Sequence, residues 1–202
     1  MRLKSALRRG VAAAVIAGIV VSSGIPAYAG TWDIADGDIT VKAGDAEGPN
    51  NVKQGDNDFV KDEGDTVITG ESKENTVTID TSEGNVDVTF DDLKIDASSG
   101  NEAAVSVTGK GDTNIELDGD NELKSGNRHA GLEHNKTDTS GKLTIQDKDK
   151  NGSLDATGGF RGAGIGGGEA QNGQVTITGG TITATAGSSL SLIHISEPTR
   201  HS

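Results

Sequence analysis

The chain has 202 residues, a formal net charge of −13, no cysteine and only 2% aromatic residues. So few rings exclude an ordinary globular core, and the lack of cysteine excludes disulfides as the staple of the fold. The acidity argues against nucleic acid and against anionic membrane surfaces as partners.

Arg2, Lys4, Arg8 and Arg9 precede an apolar stretch from Val11 to Gly24, and Ala27-Tyr28-Ala29 then offers small residues where a signal peptidase reads them. The stretch is too short for a membrane span. Residues 1–29 are therefore expected to be a signal peptide for general secretion, with no membrane contact after cleavage. The mature chain would begin at Gly30, and losing four basic residues would take the net charge from −13 to −17.

Trp32 to Val41 has an amphipathic pattern, with Trp32, Ile34, Ile39 and Val41 as its buried positions. Gly44 to Asp58 reads as a loop punctuated by glycine, proline and asparagine. Thr66-Val67-Ile68-Thr69 and Thr76-Val77-Thr78-Ile79 are β-branched strand candidates. Residues 30–75 are expected to form an N-terminal cap and an irregular first coil.

From there three apolar series advance in step. Phe90, Leu117, Ile145 and Ile177 are spaced by 27, 28 and 32 residues. Ile95, Leu123, Leu154 and Ile182 follow at 28, 31 and 28, and Val105, Leu132 and Ile165 at 27 and 33. Between these positions Val, Ile and Leu alternate with Thr, Asp, Glu and Lys, the period of a strand with one face inside. Concerted repetition of this kind predicts an all-β solenoid over residues 76–187, with three short strands per coil of about 27–32 residues. The polar run Asp147-Lys148-Asp149-Lys150-Asn151 reads as a surface insertion in one coil. Gly158-Gly159 and Gly179-Gly180 are expected where the coil corners.

Three constellations could carry chemistry. Asp147, Asp149, Asn151 and Gly152 match the opening of a calcium loop, with Asp155 following, but Gly158 stands where the bidentate glutamate belongs. Asp91 and Asp118 share a phase in successive coils, so they are expected to stack one strand apart, where repulsion calls for a bridging cation or for splaying into water. Calcium is thus a candidate ligand of Asp91, Asp118, Asp147, Asp149, Asn151 and Asp155. Arg128 and Arg161 fall at the same corner of successive coils, with His129, His134 and Phe160 nearby. Arginines so placed can grip uronate carboxylates, and an aromatic ring can support a sugar face, so Arg128, His129, Phe160 and Arg161 form a candidate carbohydrate site. Gly162 to Gly168 is glycine-rich, but no Lys-Ser or Lys-Thr pair closes it as in a phosphate loop. Close approach of stacked backbones is the simpler reading.

The ordered string Asn121-Glu122-Leu123-Lys124-Ser125-Gly126, His129 to Leu132, Gly141 to Ile145, Gly152-Ser153-Leu154, Ala156 to Gly159, Gly162 to Gly168 and Val175 to Thr185 resembles a family of secreted bacterial proteins described as carbohydrate-binding domain-containing. The resemblance spans roughly Val67 to Gly187. It implies a right-handed parallel β-helix, similar in fold to pectate lyases, that binds plant-wall or other acidic polysaccharide, with calcium as a candidate aid. The family supplies no agreed set of ligand contacts.

Residues 188–202 depart from this composition. Leu190 to Arg200 resembles one reading frame through a transposase adapter used in sequencing libraries, so a non-native tail and a truncated C-terminus are expected. The function expected from these features is that of a non-catalytic bacterial protein, secreted or at the cell surface, that binds extracellular polysaccharide. A structural or adhesive surface stalk is the second reading and a polysaccharide lyase the third.

Overall fold

The structure is a computed structural model that describes residues 30–44 and 48–188. The segment expected to be a signal peptide, 1–29, and the expected non-native tail, 188–202 apart from Ser188, lie outside the described residues.

The described chain is all-β, its one helical element being a 3-10 turn at Ile34–Asp36. The strands follow in rounds. The first holds β1 (Thr31–Asp33), β2 (Ile39–Lys42), β3 (Asn51–Gln54) and β4 (Val60–Lys61), and the second β5 (Thr66–Ser72) and β6 (Val77–Thr81). Next come β7 (Val86–Asp96) and β8 (Val105–Gly109), then β9 (Thr113–Asp118), β10 (Asp120–Lys124) and β11 (Leu132–His134). The round of β12 (Leu143–Gln146), β13 (Ser153–Thr157) and β14 (Ile165–Gly166) precedes the last described strands, β15 (Val175–Ile177) and β16 (Thr181–Thr185).

These strands make two curled sheets. In the nine-stranded sheet β1 pairs with β5 and β5 with β7; β7 pairs with both β9 and β10, and the order continues through β12 and β13 to β15 and β16, all in parallel. The seven-stranded sheet runs β14-β11-β8-β6-β2-β3-β4, parallel except where β3 and β4 turn back antiparallel beside β2. Parallel neighbours cannot be joined by a tight hairpin. Here each connection between them passes through the opposite sheet, so Val77, Val105, Leu132 and Ile165 come into one column. The apolar residues facing inward from both sheets form one continuous core that includes Ile68, Phe90, Leu93, Leu117, Leu132 and Ile145.

Several expectations are corrected. The first two apolar series lie in one sheet: β7 runs unbroken from Val86 to Asp96, and only Gly119 separates β9 from β10. Two sheets therefore make up each round; the expected three strands are present in the rounds of β9 to β11 and β12 to β14, while β5–β6 and β7–β8 have two. The registers Phe90–Leu117, Ile95–Leu123, Leu154–Ile182 and Val105–Leu132–Ile165 are as the spacings predict. Ile145, however, pairs with Ile115 and not Leu117, and Leu123 pairs with Ala156 while Leu154 pairs with Asn121. Asn121 holds that inward place because its side chain is spent on the backbone. Its Oδ1 accepts from Leu93 N at 2.9 Å, and its Nδ2 donates to Ser153 O at 3.1 Å and to Asp118 O at 3.0 Å. A buried amide satisfied in this way costs little. The run Gly44 to Asp58 is not all loop: Asn51–Gln54 forms β3, with Val52 fully buried against Val41. One apolar residue in a polar run leaves no period to read. The insertion 147–151 does emerge as an irregular loop between β12 and β13.

The corners are made by glycine, for a reason other than positive φ in most cases. A Cβ on Gly126 would fall 2.4 Å from the carbonyl oxygen of Gly100, one on Gly159 only 1.8 Å from that of Gly126, and one on Gly187 only 1.7 Å from that of Gly159. A second stack runs Gly84, Gly111, Gly141 with clashes of 2.1 and 1.8 Å. Backbone lies directly on backbone at these places, so no side chain fits. Gly162, whose Cβ would lie 1.8 Å from His129 O, belongs to the same crowded corner.

At the N-terminal end Asp62, fully buried, accepts from Gly30 N at 2.7 Å and from Trp32 Nε1 at 2.9 Å, tying the first strand to the chain after β4. At the other end the last strands are exposed, with Ile177 at 37%.

Candidate functional site

Two turns built on the corner glycines bring Arg128 and Arg161 together. Arg128 N donates to Phe160 O at 2.8 Å, which places the second arginine's turn directly on the first. Both arginines have left-handed backbone, φ 72° and 62°, a conformation that residues with a side chain rarely hold without a structural demand. Their guanidiniums converge on Glu169: Arg128 Nε lies 3.1 Å from Oε2 and Arg161 NH1 2.5 Å from Oε1. The hydrogen bond from Arg161, with the charges of both arginines, holds the Glu169 carboxyl below its ordinary value. Phe160 is 43% exposed, and Arg161 Cζ stands 5.1 Å from its ring centre.

His129 faces the other way, toward Glu133. That glutamate is buried on β11, where its Oε2 takes His129 Nδ1 at 2.9 Å and Ala130 N at 3.0 Å, and its Oε1 takes Asn135 Nδ2 at 2.9 Å. The tautomer with its proton on Nδ1 matches this acceptor, whose Oε2 also takes Ala130 N. Asn135 Oδ1 in turn accepts from Gly168 N at 2.9 Å, which fixes the turn that carries Glu169. His134 is buried apart from this group with Nδ1 3.1 Å from Gln174 O, and burial lowers its pKa.

His129 and Glu133 also close one end of a groove of about 390 Å³ over the outer face of the seven-stranded sheet. Thr40, Thr78, Ser106 and Glu133 stand side by side on adjacent strands along it. Parallel pairing spaces such residues by about 4.8 Å. Asp38, Thr76, Asn101 and Glu102 add further hydrogen-bonding groups, and among the described residues no lysine or arginine lines it.

The acidic candidates divide into separate places. Asp91 and Asp118 are in register on β7 and β9. Burial, then the charges of Asp118 and Asp92, raise the pKa of Asp91. Asp118 Oδ1 accepts from Asn151 Nδ2 at 2.7 Å, so the end of the insertion folds back onto Asp118. Asp147 instead caps its own loop, accepting from Asn151 N at 3.2 Å. Asp155 lies on β13 opposite Glu122, within the field of Lys124, away from that loop. Among the described residues no three His, Asp or Glu side chains converge as a metal-ligand set.

An acid whose pKa is raised on folding contributes stability at low pH that is lost as pH rises from its ordinary value toward the raised one. Asp91→Asn should therefore raise the melting temperature at pH 7 in chelator, by on the order of 1 °C, with the gain vanishing in acid. Thermal melts at pH 3 and 7 check this. Calcium that stabilises the wild type but not the variant would be the signature of a bridged pair.

Glu133, Asn135 and Glu169 carry no signal in the sequence as site residues. Each reads as a polar surface position: Glu169 meets Arg128 from another turn and Asn135 takes Gly168 N from 33 residues away, while Glu133, whose partners lie within four residues, sits in no recognised motif. Compared with models of protein families, with curated proteins and with solved structures, the chain matches none.

Proposed function

We propose that the chain is a right-handed parallel β-helix that binds extracellular polysaccharide without transforming it. The fold part of this reading is supported by rounds of strands stacking in parallel at steps of 27, 28 and 33 residues, and by the strong right-hand preference of parallel crossovers. The binding part rests on one observation, the groove across the seven-stranded sheet. Its hydroxyl row crosses several strands, as an extended chain of hydroxyl-bearing rings requires, and it ends at His129 beside the corner of Arg128, Phe160 and Arg161. Sugar recognition by many modest hydrogen bonds suits such a wall.

Affinity gels containing polygalacturonate or cellulose, with and without chelator, test the reading. The protein should be retarded in at least one, and Ser106→Trp, which fills the groove, should abolish the retardation while leaving the melt unchanged. No retention on any gel or on a glycan array favours instead a structural stalk. A specific observation stands behind that second reading: β15 and β16 close the nine-stranded sheet with their outer edges unpaired among the described residues. Unsaturated products from polygalacturonate would replace both with a lyase.

A further inference from the structure

Arg128 and Arg161 are the only arginines among the described residues of this acidic chain, and they stand together. Each contributes one donor to one oxygen of the same carboxylate, Arg128 Nε to Oε2 and Arg161 NH1 to Oε1 of Glu169. That is the arrangement in which two guanidiniums read any planar carboxylate. The pair is not sealed: the arginine side chains are 69% and 48% exposed. Phe160 offers a half-exposed ring directly beside Arg161. The backbone is committed to this display. Both arginines hold left-handed φ, and Glu169 N donates to Arg128 O at 2.7 Å, so the turn bearing Glu169 is anchored independently of its side chain. The Glu169 side chain can therefore leave the arginines while its turn stays in place. A core ion pair would be buried and would need no adjacent exposed ring; a solvated surface pair would not need two strained backbones in successive turns.

We propose that Arg128 and Arg161 form a carboxylate-binding site that Glu169 fills in the free protein, and that the carboxylate of an acidic sugar takes the site by displacing Glu169. The sugar ring then lies against Phe160. The identity of the ligand as a uronate rests on the polysaccharide-binding reading above; the carboxylate site rests on the geometry of the corner.

Calorimetric titration of the full chain with trigalacturonate and with its methyl ester tests the proposal in the wild type, in Glu169→Gln and in Arg128→Gln/Arg161→Gln. Removing an exposed internal competitor should raise affinity for the acid about threefold to fivefold, with no change for the ester. The double arginine variant should lose binding of the acid. All three side chains are on the surface, and melting curves verify that each variant is folded. Arg128→Lys/Arg161→Lys, which keeps the charge and loses the fork, should fall between the wild type and the double glutamine variant. Equal affinity of the wild type and Glu169→Gln for the acid overturns the proposal, as does undiminished binding by the double glutamine variant. A parallel titration with monomeric galacturonate follows the Nε–H signals of the two arginines by NMR. If those signals move while no polymer is retained on gels, the carboxylate site stands and the polysaccharide reading falls. If polymers are retained while the signals stay fixed, the polysaccharide reading stands and the carboxylate site falls.

Discussion

Gly159→Ala is expected to cost about 3 kcal/mol, the upper end of the usual range for overpacking. The added methyl would lie 1.8 Å from the carbonyl oxygen of Gly126 in the round below, and Gly187 presses on Gly159 from the round above. Neither contact is with a flexible side chain, so relief requires the rounds to move apart. Moving them apart breaks parallel hydrogen bonds on both sides, because Ser125, Gly158 and Gly159 all donate across this corner. Gly100→Ala is the matched control. Its Cβ would meet only Ala97 O, at an ordinary 3.5 Å, at an exposed position of the first corner in the same stack. Urea unfolding of the two variants should separate them by several-fold in free-energy loss. Equal losses would mean that the corners are loose and that the glycines are there for chain flexibility alone.

Phe90→Ala should cost about 3–5 kcal/mol, as expected for emptying a fully enclosed aromatic site. Phe90 is 0% exposed and is the largest of the fully buried side chains; it stacks between Ile68 of β5 and Leu117 of β9. In a stack of rounds each layer is stabilised mainly by its neighbours. Hydrogen exchange should therefore quicken first in β5, β7 and β9, and less in β2 or β16. Ile177→Ala supplies the contrast. Ile177 belongs to the same predicted apolar series, yet it is 37% exposed in the last described round, so its truncation should cost less than about 1 kcal/mol. Comparable losses at the two positions would contradict a shared interior that fades toward the end of the stack.

Both results bear on what could be read from residue order. Alternation places Val88, Phe90 and Leu117 inside and Asp87, Thr89 and Glu116 outside without reference to any partner strand, because the side chains of a strand alternate by geometry. The 27-residue step from Val105 to Leu132 likewise shows that the layers repeat. Alternation does not say which inward position meets which. Ile145 could stack on Ile115 or on Leu117 with its face unchanged, since those two positions lie two residues apart on one strand and point the same way. The choice falls to Ile115, which leaves Leu117 against Gly152 and Gly180 of later rounds. Asn121 shows the same limit from the other side: an amide in an inward slot is legible only when Leu93 N and Ser153 O are seen to need it.

The candidate site divides in the same way. The spacing of 33 between Arg128 and Arg161, equal to that between Leu132 and Ile165, puts the arginines at one corner before any coordinates are consulted. Nothing in the order of residues points to Glu169 as the group between them, or to Glu133 as the partner of His129. A glutamate in a polar turn looks the same whether it faces water or two guanidiniums.

From its residues alone this chain is specified as acidic, β-rich, layered and free of disulfides, because composition and period act locally along every strand. Tertiary structure alone decided that each round folds into two sheets, that the corners close backbone on backbone, and that Glu169 occupies the arginine pair. Those outcomes depend on how the rounds slide against one another, which is settled by packing and hydrogen bonds between residues some 30 positions apart.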